Sequence, residues 1–530
     1  MALLSVRKLA ALGASCAALA IANPAAAADC SALANLALSN GKVTAATLVA
    51  PGAFQQPSTG APLPPGVANA PYKNLPAFCR VEATMTPTAD SDIKVEIWLP
   101  ANNWNGKLVG IGNGIWAGQL SYSQMADPIA RGFAAVTTDT GHKGSGMTAE
   151  WAVGHPEKLV DFGHRAVHQM TVAAKAAIKA HYGSGPKLSY WNSCSTGGRQ
   201  GLMAAYRYPD DFDAISAMAP ANPMTDLMTQ TMWASSMVRR TPESALTPAL
   251  LGLAHKAAVA KCDALDGLKD GLIGNPQACT FKAAELSCKP GQSEGCFKPD
   301  QVRALQSIYD GVRDPKSGKL LTPGWPVGAE PQLTMLVMGA EPFPVANDYF
   351  RLLVHGDNKG WDWKTMDYGK ELAAARTYGK DILNVPATGL SAYLKRGGKL
   401  LLSHGWADGL IPANNTILFH QQLAKATPAA QMKKAVRLFM APGMDHCSGG
   451  EGPSSFDTLG ALDAWATSGI APESIVATRV SAGPGAAPGA PAPALPPMSR
   501  PLCPFPKIAT YGGSGDTNDA ANFRCTTPKK

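Results

Sequence analysis

Short apolar runs of strand length punctuate this chain, separated by stretches in which apolar residues return with a helical period. Residues 107–111, 133–137, 188–192, 214–218, 399–403 and 436–440 are such runs. Before them, Ile93, Val95, Ile97 and Leu99 alternate with chiefly polar residues, as a strand with one solvated face would. Between 133–137 and 188–192, residues 161–182 keep a helical pattern with no proline and with Gly163 as the one glycine. Strand, helix and strand in that order imply helical crossovers. The fold class is therefore α/β, a mostly parallel sheet with helices on both faces.

The rhythm breaks between residues 221 and 396, where Pro, Gly, Trp and four cysteines gather and no sheet pattern is evident. An insertion of that length between two strands reads as a lid or accessory unit. Residues 29–220 and 397–480 are then the two parts of one core. Residues 481–501, rich in Pro, Ala and Gly, read as a stiff extended linker. Residues 502–530, with Cys503 and Cys525, read as a short tail pinned back onto the domain.

The N-terminus changes how the cysteines are interpreted. Arg7 and Lys8 precede an apolar stretch that ends in the small-residue run 25–28, the anatomy of a secretory signal cut after Ala28. The stretch is too short to span a bilayer and is interrupted at Asn23-Pro24, so no membrane association is expected after cleavage. Cys16 has Gly13 where a lipidation site wants an aliphatic residue. A periplasmic or secreted protein keeps its thiols oxidised. Removing Cys16 with the signal leaves ten of the eleven cysteines, an even number that fits five bridges. The formal net charge of +8 falls by two without Arg7 and Lys8, and no basic run remains to suggest a nucleic-acid partner.

Candidate chemistry centres on residues 190–198, where an apolar strand runs into Ser193-Cys194-Ser195-Thr196-Gly197-Gly198 and then a helix. This is the layout of a nucleophile elbow, in which a sharp strand-to-helix turn exposes a serine hydroxyl. Gly197 satisfies the pattern, and Ser193 stands where glycine is usual. A serine near its free pKa is a poor nucleophile, so it needs a histidine to take its proton and a carboxylate to hold that imidazole. Asp408, after the run 399–403, and His446, after the run 436–440, follow Ser195 in the chain order of an α/β-hydrolase. Asp445 is a rival acid, but adjacent side chains seldom point at one another. His404 is a rival base, but it precedes the acid. Cys194 directly before the serine and Cys447 directly after the histidine suggest a disulfide tying both catalytic loops together. Oxyanion donors are expected from the amide of Thr196 and from the loop after 107–111, where Gly112 and Gly114 let backbone approach substrate and Gly114 is the choice.

Cys194-Ser195, Asp408 and His446-Cys447 resemble the Cys-Ser, Asp, His-Cys arrangement of the tannase and feruloyl esterase family, which includes the hydrolase of mono(2-hydroxyethyl) terephthalate. Residues 112–114, 138–142 and 500–504 are similar to the family as well, and the resemblance covers nearly the whole chain after residue 29. It implies an α/β-hydrolase fold with a large lid domain inserted between late strands of the sheet. It further implies the bridges Cys194 to Cys447, Cys30 to Cys79, Cys262 to Cys279, Cys288 to Cys296 and Cys503 to Cys525. Read alone, residues 262–272 are a solvated acidic turn, because their spacing departs from the common calcium loop. The resemblance implies instead a structural Ca2+ held by Asp263, Asp266 and Asp270 with the carbonyls of Leu268 and Leu272.

What the resemblance implies for the reaction is hydrolysis of aromatic esters through Ser195: galloyl, feruloyl and related phenolic esters, small or attached to polysaccharide, or phthalate-type esters. Trp233, Trp325, Phe343, Tyr349, Trp361, Trp363 and Tyr368 lie in the lid, but lid aromatics usually form its own core. A peptidase or acyltransferase with the same triad, and a noncatalytic exported protein that binds phenolics or polysaccharide, are the rival readings. The ordered triad with its flanking cysteines argues against the second.

Overall fold

A computed structural model describes residues 29–57, 69–144, 146–479 and 495–528. The expected signal segment and most of the Pro/Ala-rich linker lie outside the described residues. In chain order the strands are β1 (Ala37–Leu38), β2 (Gly41–Val49), β3 (Phe78–Met85), β4 (Ile93–Pro100), β5 (Lys107–Ile111), β6 (Ala134–Thr138), β7 (Leu188–Cys194) and β8 (Ala214–Met218). A small hairpin follows, β9 (Val312–Arg313) with β10 (Leu320–Thr322), and then β11 (Lys399–Gly405) and β12 (Val436–Ala441). Ten of these form one sheet in the order β1-β2-β3-β4-β6-β5-β7-β8-β11-β12. From β6 through β12 every pairing is parallel, whereas β1 to β4 and the β4–β6 junction are antiparallel.

The parallel half matches the apolar runs of the sequence. The antiparallel half makes the sheet a mixed one, with its parallel pairings in the majority. β2 has its side chains half or fully solvated, so its sequence carries no apolar run. β4 corrects the reading of a strand with one solvated face, because Glu96 and Trp98 on its other face are also buried. Glu96 accepts hydrogen bonds from Arg80 Nε at 2.6 Å and Trp98 Nε1 at 2.7 Å, which satisfies a carboxylate that burial alone would make costly. Alternate residues of the sheet feed two apolar clusters. Val136, Trp191, Ile215 and Leu402 face one, and Ala135, Tyr190, Ala214 and Leu401 face the other.

The expected helix 161–182 begins as a π-helical turn, Asp161–Arg165, and continues as the α-helix Ala166–Tyr182. The carbonyl of Gly163 in that turn accepts from the fully buried Arg199 at 3.0 Å, so the irregular turn anchors the helix that follows β7.

Between β8 and β11 the lid builds its own apolar cluster, in which Trp325, Tyr349 and Tyr368 are core and no aromatic wall is formed by them. Beyond β12, β13 (Ile475–Thr478) pairs antiparallel with β14 (Ser499–Leu502). The expected linker is thus shorter than 481–501, since Ser499, Arg500 and Pro501 already belong to a strand. Its register lines up Ala477 with Arg500. The tail hairpin of β15 (Ile508–Tyr511) and β16 (Phe523–Thr526) completes the chain, and Phe505 N donates to Leu438 O at 2.7 Å. That contact covers the otherwise open edge strand β12.

A carboxylate–imidazole–carboxylate bridge joins lid to core. His255 in the lid helix Pro248–Cys262 contacts Glu330 of the lid through Nδ1 at 3.1 Å and Glu451, beyond β12, through Nε2 at 3.0 Å. Glu330 also accepts from Tyr309 and from the amide of Gly328. Burial works against the charge on His255, but the two carboxylates more than reverse it and raise the imidazolium to about 10. Such a raised group contributes stability in full below its unfolded pKa near 6.5 and loses it as pH climbs toward 10. The thermal-stability difference between wild type and His255→Gln should therefore be largest near pH 6 and shrink on the way to pH 10; a difference that stays flat across that range removes the bridge as the cause.

Candidate active site

Ser195 stands between β7 and the helix Thr196–Arg207 with φ 64° and ψ −128°. A non-glycine residue in that region costs on the order of 1–3 kcal/mol, so the surroundings must hold it there. Its amide donates to Met218 O at 3.0 Å, and its carbonyl accepts from the amides of Arg199 at 3.0 Å and Ala221 at 3.1 Å. A Cβ at Gly197 would fall on the Ser193 side chain. Ser193 fits in the place of the usual glycine because Gly197 has no side chain, and its hydroxyl accepts from the Gly112 amide at 3.2 Å.

Asp408, fully buried in the loop after β11, accepts four hydrogen bonds. Oδ1 takes the amides of Leu410 and Ile411, both at 2.9 Å. Oδ2 takes His446 Nδ1 at 2.7 Å and His404 Nε2 at 3.1 Å. Burial pulls this carboxyl upward, yet His446 and His404 outweigh it and hold it well below the usual carboxylate range. His404, read from the sequence as a rival base, is also wholly buried. Its Nε2–H is shared between Asp408 and Ile411 O, and its Nδ1 accepts from Thr416. It has no face toward solvent and acts on Asp408 instead. Asp445 makes no hydrogen bond to His446. Burial, with the charges of Asp408 and Glu451, pushes it up to about 8 and leaves it protonated at neutral pH.

The Cys194–Cys447 disulfide joins the segments that carry Ser195 and His446, with 5.9 Å between the Cα atoms. The other four bridges are Cys30–Cys79, Cys262–Cys279, Cys288–Cys296 and Cys503–Cys525. Ser195 and His446 line one cavity of about 480 Å³. No hydrogen bond joins their side chains in this arrangement, as is common in an unliganded site.

Thr196 and Gly114 line the same cavity, and among the described residues their amides donate to no protein acceptor. The two glycines differ in their protein surroundings. A Cβ at Gly112 would collide with Gly197 Cα and Trp191, whereas nothing lies within 4 Å of one at Gly114. The loop is held by Asn113, whose amide donates to Gln119 O and Thr138 O, both at 2.8 Å, and accepts from Gln200 at 3.1 Å. Behind it, His142 donates from Nε2 to Trp116 O at 2.7 Å; burial lowers it to about 4, so it is neutral. The segment 138–142 thus supports the loop from outside the cavity.

The opposite wall comes from the lid, chiefly Met224, Leu227, Met228 and Thr231 on one helix and Met335 and Phe343 beyond it. Of this wall, sequence reasoning had offered only Phe343 among the lid aromatics, and the helix was missed. Its helix, Met224–Met237, is buried almost all round, so no apolar face stands out from a polar one.

The acidic loop lies apart from this site. Asp263 accepts the amides of Asp270 and Gly271, Asp266 that of Leu268, and Asp270 that of Leu272. Asp270 also pairs with Arg500 of β14 at 2.5 Å. Burial, reinforced by the charges of Asp270 and Asp263, raises Asp266 to about 7. Among the described residues no three His, Cys, Asp or Glu side chains converge to hold a metal, but no donor reaches the carbonyls of Leu268 and Leu272.

Comparison with known proteins agrees with this geometry. Residues 79–526 match the family model described as tannase and feruloyl esterase. An uncharacterised esterase of Xanthomonas campestris is 32% identical over 98% of this chain and 94% of its own. A probable feruloyl esterase B-1 of Aspergillus flavus is 32% identical over 84% of this chain and 86% of its own. The crystal structure of an esterase from Aspergillus oryzae superposes with a TM-score of 0.84 at 30% identity, covering 94% of this chain and 99% of that one. The elbow, the buried carboxylate and the two loops clamped beside them are therefore those of a carboxylic ester hydrolase with the α/β-hydrolase fold, and the chain belongs to the tannase and feruloyl esterase family.

Proposed function

We propose that the protein is exported and hydrolyses esters of phenolic acids through an acyl-enzyme on Ser195. The observation that carries this reading is the Cys194–Cys447 bridge, which keeps an elbow serine beside a histidine already bound to a buried carboxylate. His446 Nε2 takes the proton of the Ser195 hydroxyl as Oγ attacks the ester carbonyl. Asp408 fixes the tautomer through Nδ1 and stabilises the imidazolium that forms. The amides of Thr196 and Gly114 receive the developing oxyanion. Collapse of the tetrahedral intermediate expels the alcohol, protonated by His446. Water, activated by the same imidazole, then releases the acid and restores Ser195. His404 keeps Asp408 ionised and oriented without touching substrate.

Five disulfides and the signal-like N-terminus support an oxidising location, periplasmic or extracellular. No helix among the described residues is long and apolar enough to cross a membrane. Calcium in the loop 263–272 belongs to the same proposal. What supports it is the resemblance together with the undonated carbonyls of Leu268 and Leu272 beside three carboxylates. The ion would be a structural brace of the lid.

Ser195→Ala should lower kcat on methyl ferulate by about 10⁴-fold or more, with folding unchanged by circular dichroism. Activity that survives in that variant assigns the nucleophile elsewhere. The double variant Cys194→Ser/Cys447→Ser should melt at a lower temperature and lose about tenfold to a hundredfold in kcat/KM, since small misplacements of reacting groups are costly. Calcium added after chelation should raise the melting temperature of wild type but not of Asp266→Asn; no shift in wild type, with no calcium found by elemental analysis of the purified protein, rules the ion out.

A further inference from the structure

Among the described residues, the cavity over Ser195 is lined by no Asp, Glu, Lys or Arg, and His446 is its one ionisable side chain. Nearly all its polar side chains are already committed. The Asn113 amide is saturated by Gln119 O, Thr138 O and Gln200, and the Thr196 hydroxyl donates to Ile115 O at 2.9 Å. Gln124 is solvent-exposed and stands at the rim.

Thr231 is the exception. It is only 3% exposed, it lines the cavity, and among the described residues its hydroxyl meets no protein partner. Thr229, on the same helix, turns its hydroxyl back to Thr225 O at 3.0 Å, the usual resting place for a helical threonine. Thr231 does not. Unlike the buried and unpartnered hydroxyls of Ser216 and Thr322, its oxygen is open to the cavity, where a ligand group can pair it.

The helix Met224–Met237 starts beside the nucleophile, because the Ala221 amide donates to Ser195 O at 3.1 Å. Met224, Leu227, Met228 and Thr231 share its cavity face, and the rise per residue puts Thr231 about 10 Å beyond Met224 along the axis. Leu227 and Met228 line the distance between them, and the thioethers of Met224 and Met228 give a deformable, polarizable surface that suits aromatic faces.

We infer that Thr231 is the specificity-determining residue of the acyl side: the cavity takes an uncharged, elongated acyl group and pairs the hydroxyl at its far end, and it disfavours acyl groups that carry a charge or several hydroxyls. The inference rests on Ser195 as nucleophile. A carboxylate on the acyl group would be buried without a cation, and each hydroxyl beyond the first would lose water with no partner, at about tenfold to a hundredfold in kcat/KM.

The test is kcat/KM for the methyl esters of cinnamic, 4-hydroxycinnamic and gallic acids and for monomethyl terephthalate, with wild type, Thr231→Val and Thr231→Ser. Wild type should prefer 4-hydroxycinnamate to cinnamate and cleave gallate and the terephthalate monoester at least tenfold less well than 4-hydroxycinnamate. In Thr231→Val the ratio of 4-hydroxycinnamate to cinnamate should fall fivefold or more, whatever the absolute rates, and Thr231→Ser should restore it. An unchanged ratio in Thr231→Val, or gallate or terephthalate turned over as readily as 4-hydroxycinnamate, overturns the inference while the esterase reading stands. Hydrolysis of 4-nitrophenyl acetate that persists in Ser195→Ala overturns both.

Discussion

One covalent constraint organises this molecule: the bond between Cys194 and Cys447, whose partners are 253 residues apart in sequence. The sheet already brings the carboxyl ends of β7, β8, β11 and β12 to one edge, but a sheet edge fixes loops only to within their own freedom. The disulfide removes that freedom for the segments that carry Ser195 and His446. Asp408, arriving from β11 between them, then needs only to satisfy its four donors to set the imidazole. Each component depends on a different force, yet all three end on the same few ångströms.

The buried carboxylate shows why a second histidine is present. A lone ionised group with no exposure would be costly in an apolar interior, and two amides and two imidazoles share that cost. His404 is thus part of what keeps Asp408 charged when no substrate is bound. Its own geometry is fixed by Thr416 and Ile411 O, so the network has one orientation and not several.

The parallel strands, the elbow, Asp408 and His446 were legible in the sequence because each is local: an apolar run of strand length, or a motif whose chain order is fixed by the fold. β2 was not, since its half or fully solvated side chains leave no apolar run, and β3 was missed although Val81, Ala83 and Met85 alternate with polar residues as in a half-buried strand. The pairing of Asp408 with His404 needed the loop 404–411 to turn back on itself, and Leu410 and Ile411 give no signal that their amides will be spent on a carboxylate. The cavity wall was hidden for the opposite reason. The helix between the lid core and the cavity is buried on nearly every side and mixes polar with apolar residues, so Thr231 looked like one more of its threonines. The acidic loop gave no signal of its own: by spacing alone residues 262–272 read as a solvated acidic turn, and only the resemblance implied a cation there, while the fold gives the three carboxylates to amides and Arg500 and leaves the carbonyls of Leu268 and Leu272 without a donor.

Arg500 gives the tail a meaning beyond the covering of an edge. β14 lies along β13 while its arginine reaches Asp270 in the lid, so the last part of the chain touches core and insertion at once. The Cys503–Cys525 bridge closes the tail only on itself. The tail is therefore held to the rest by non-covalent contacts, as a bound ligand would be, but one that cannot diffuse away because it is the same chain. Dilution does not release it. In a truncated protein the same surface would have to recruit that segment from solution, and the lid loop would lose a cation that it carries everywhere with it.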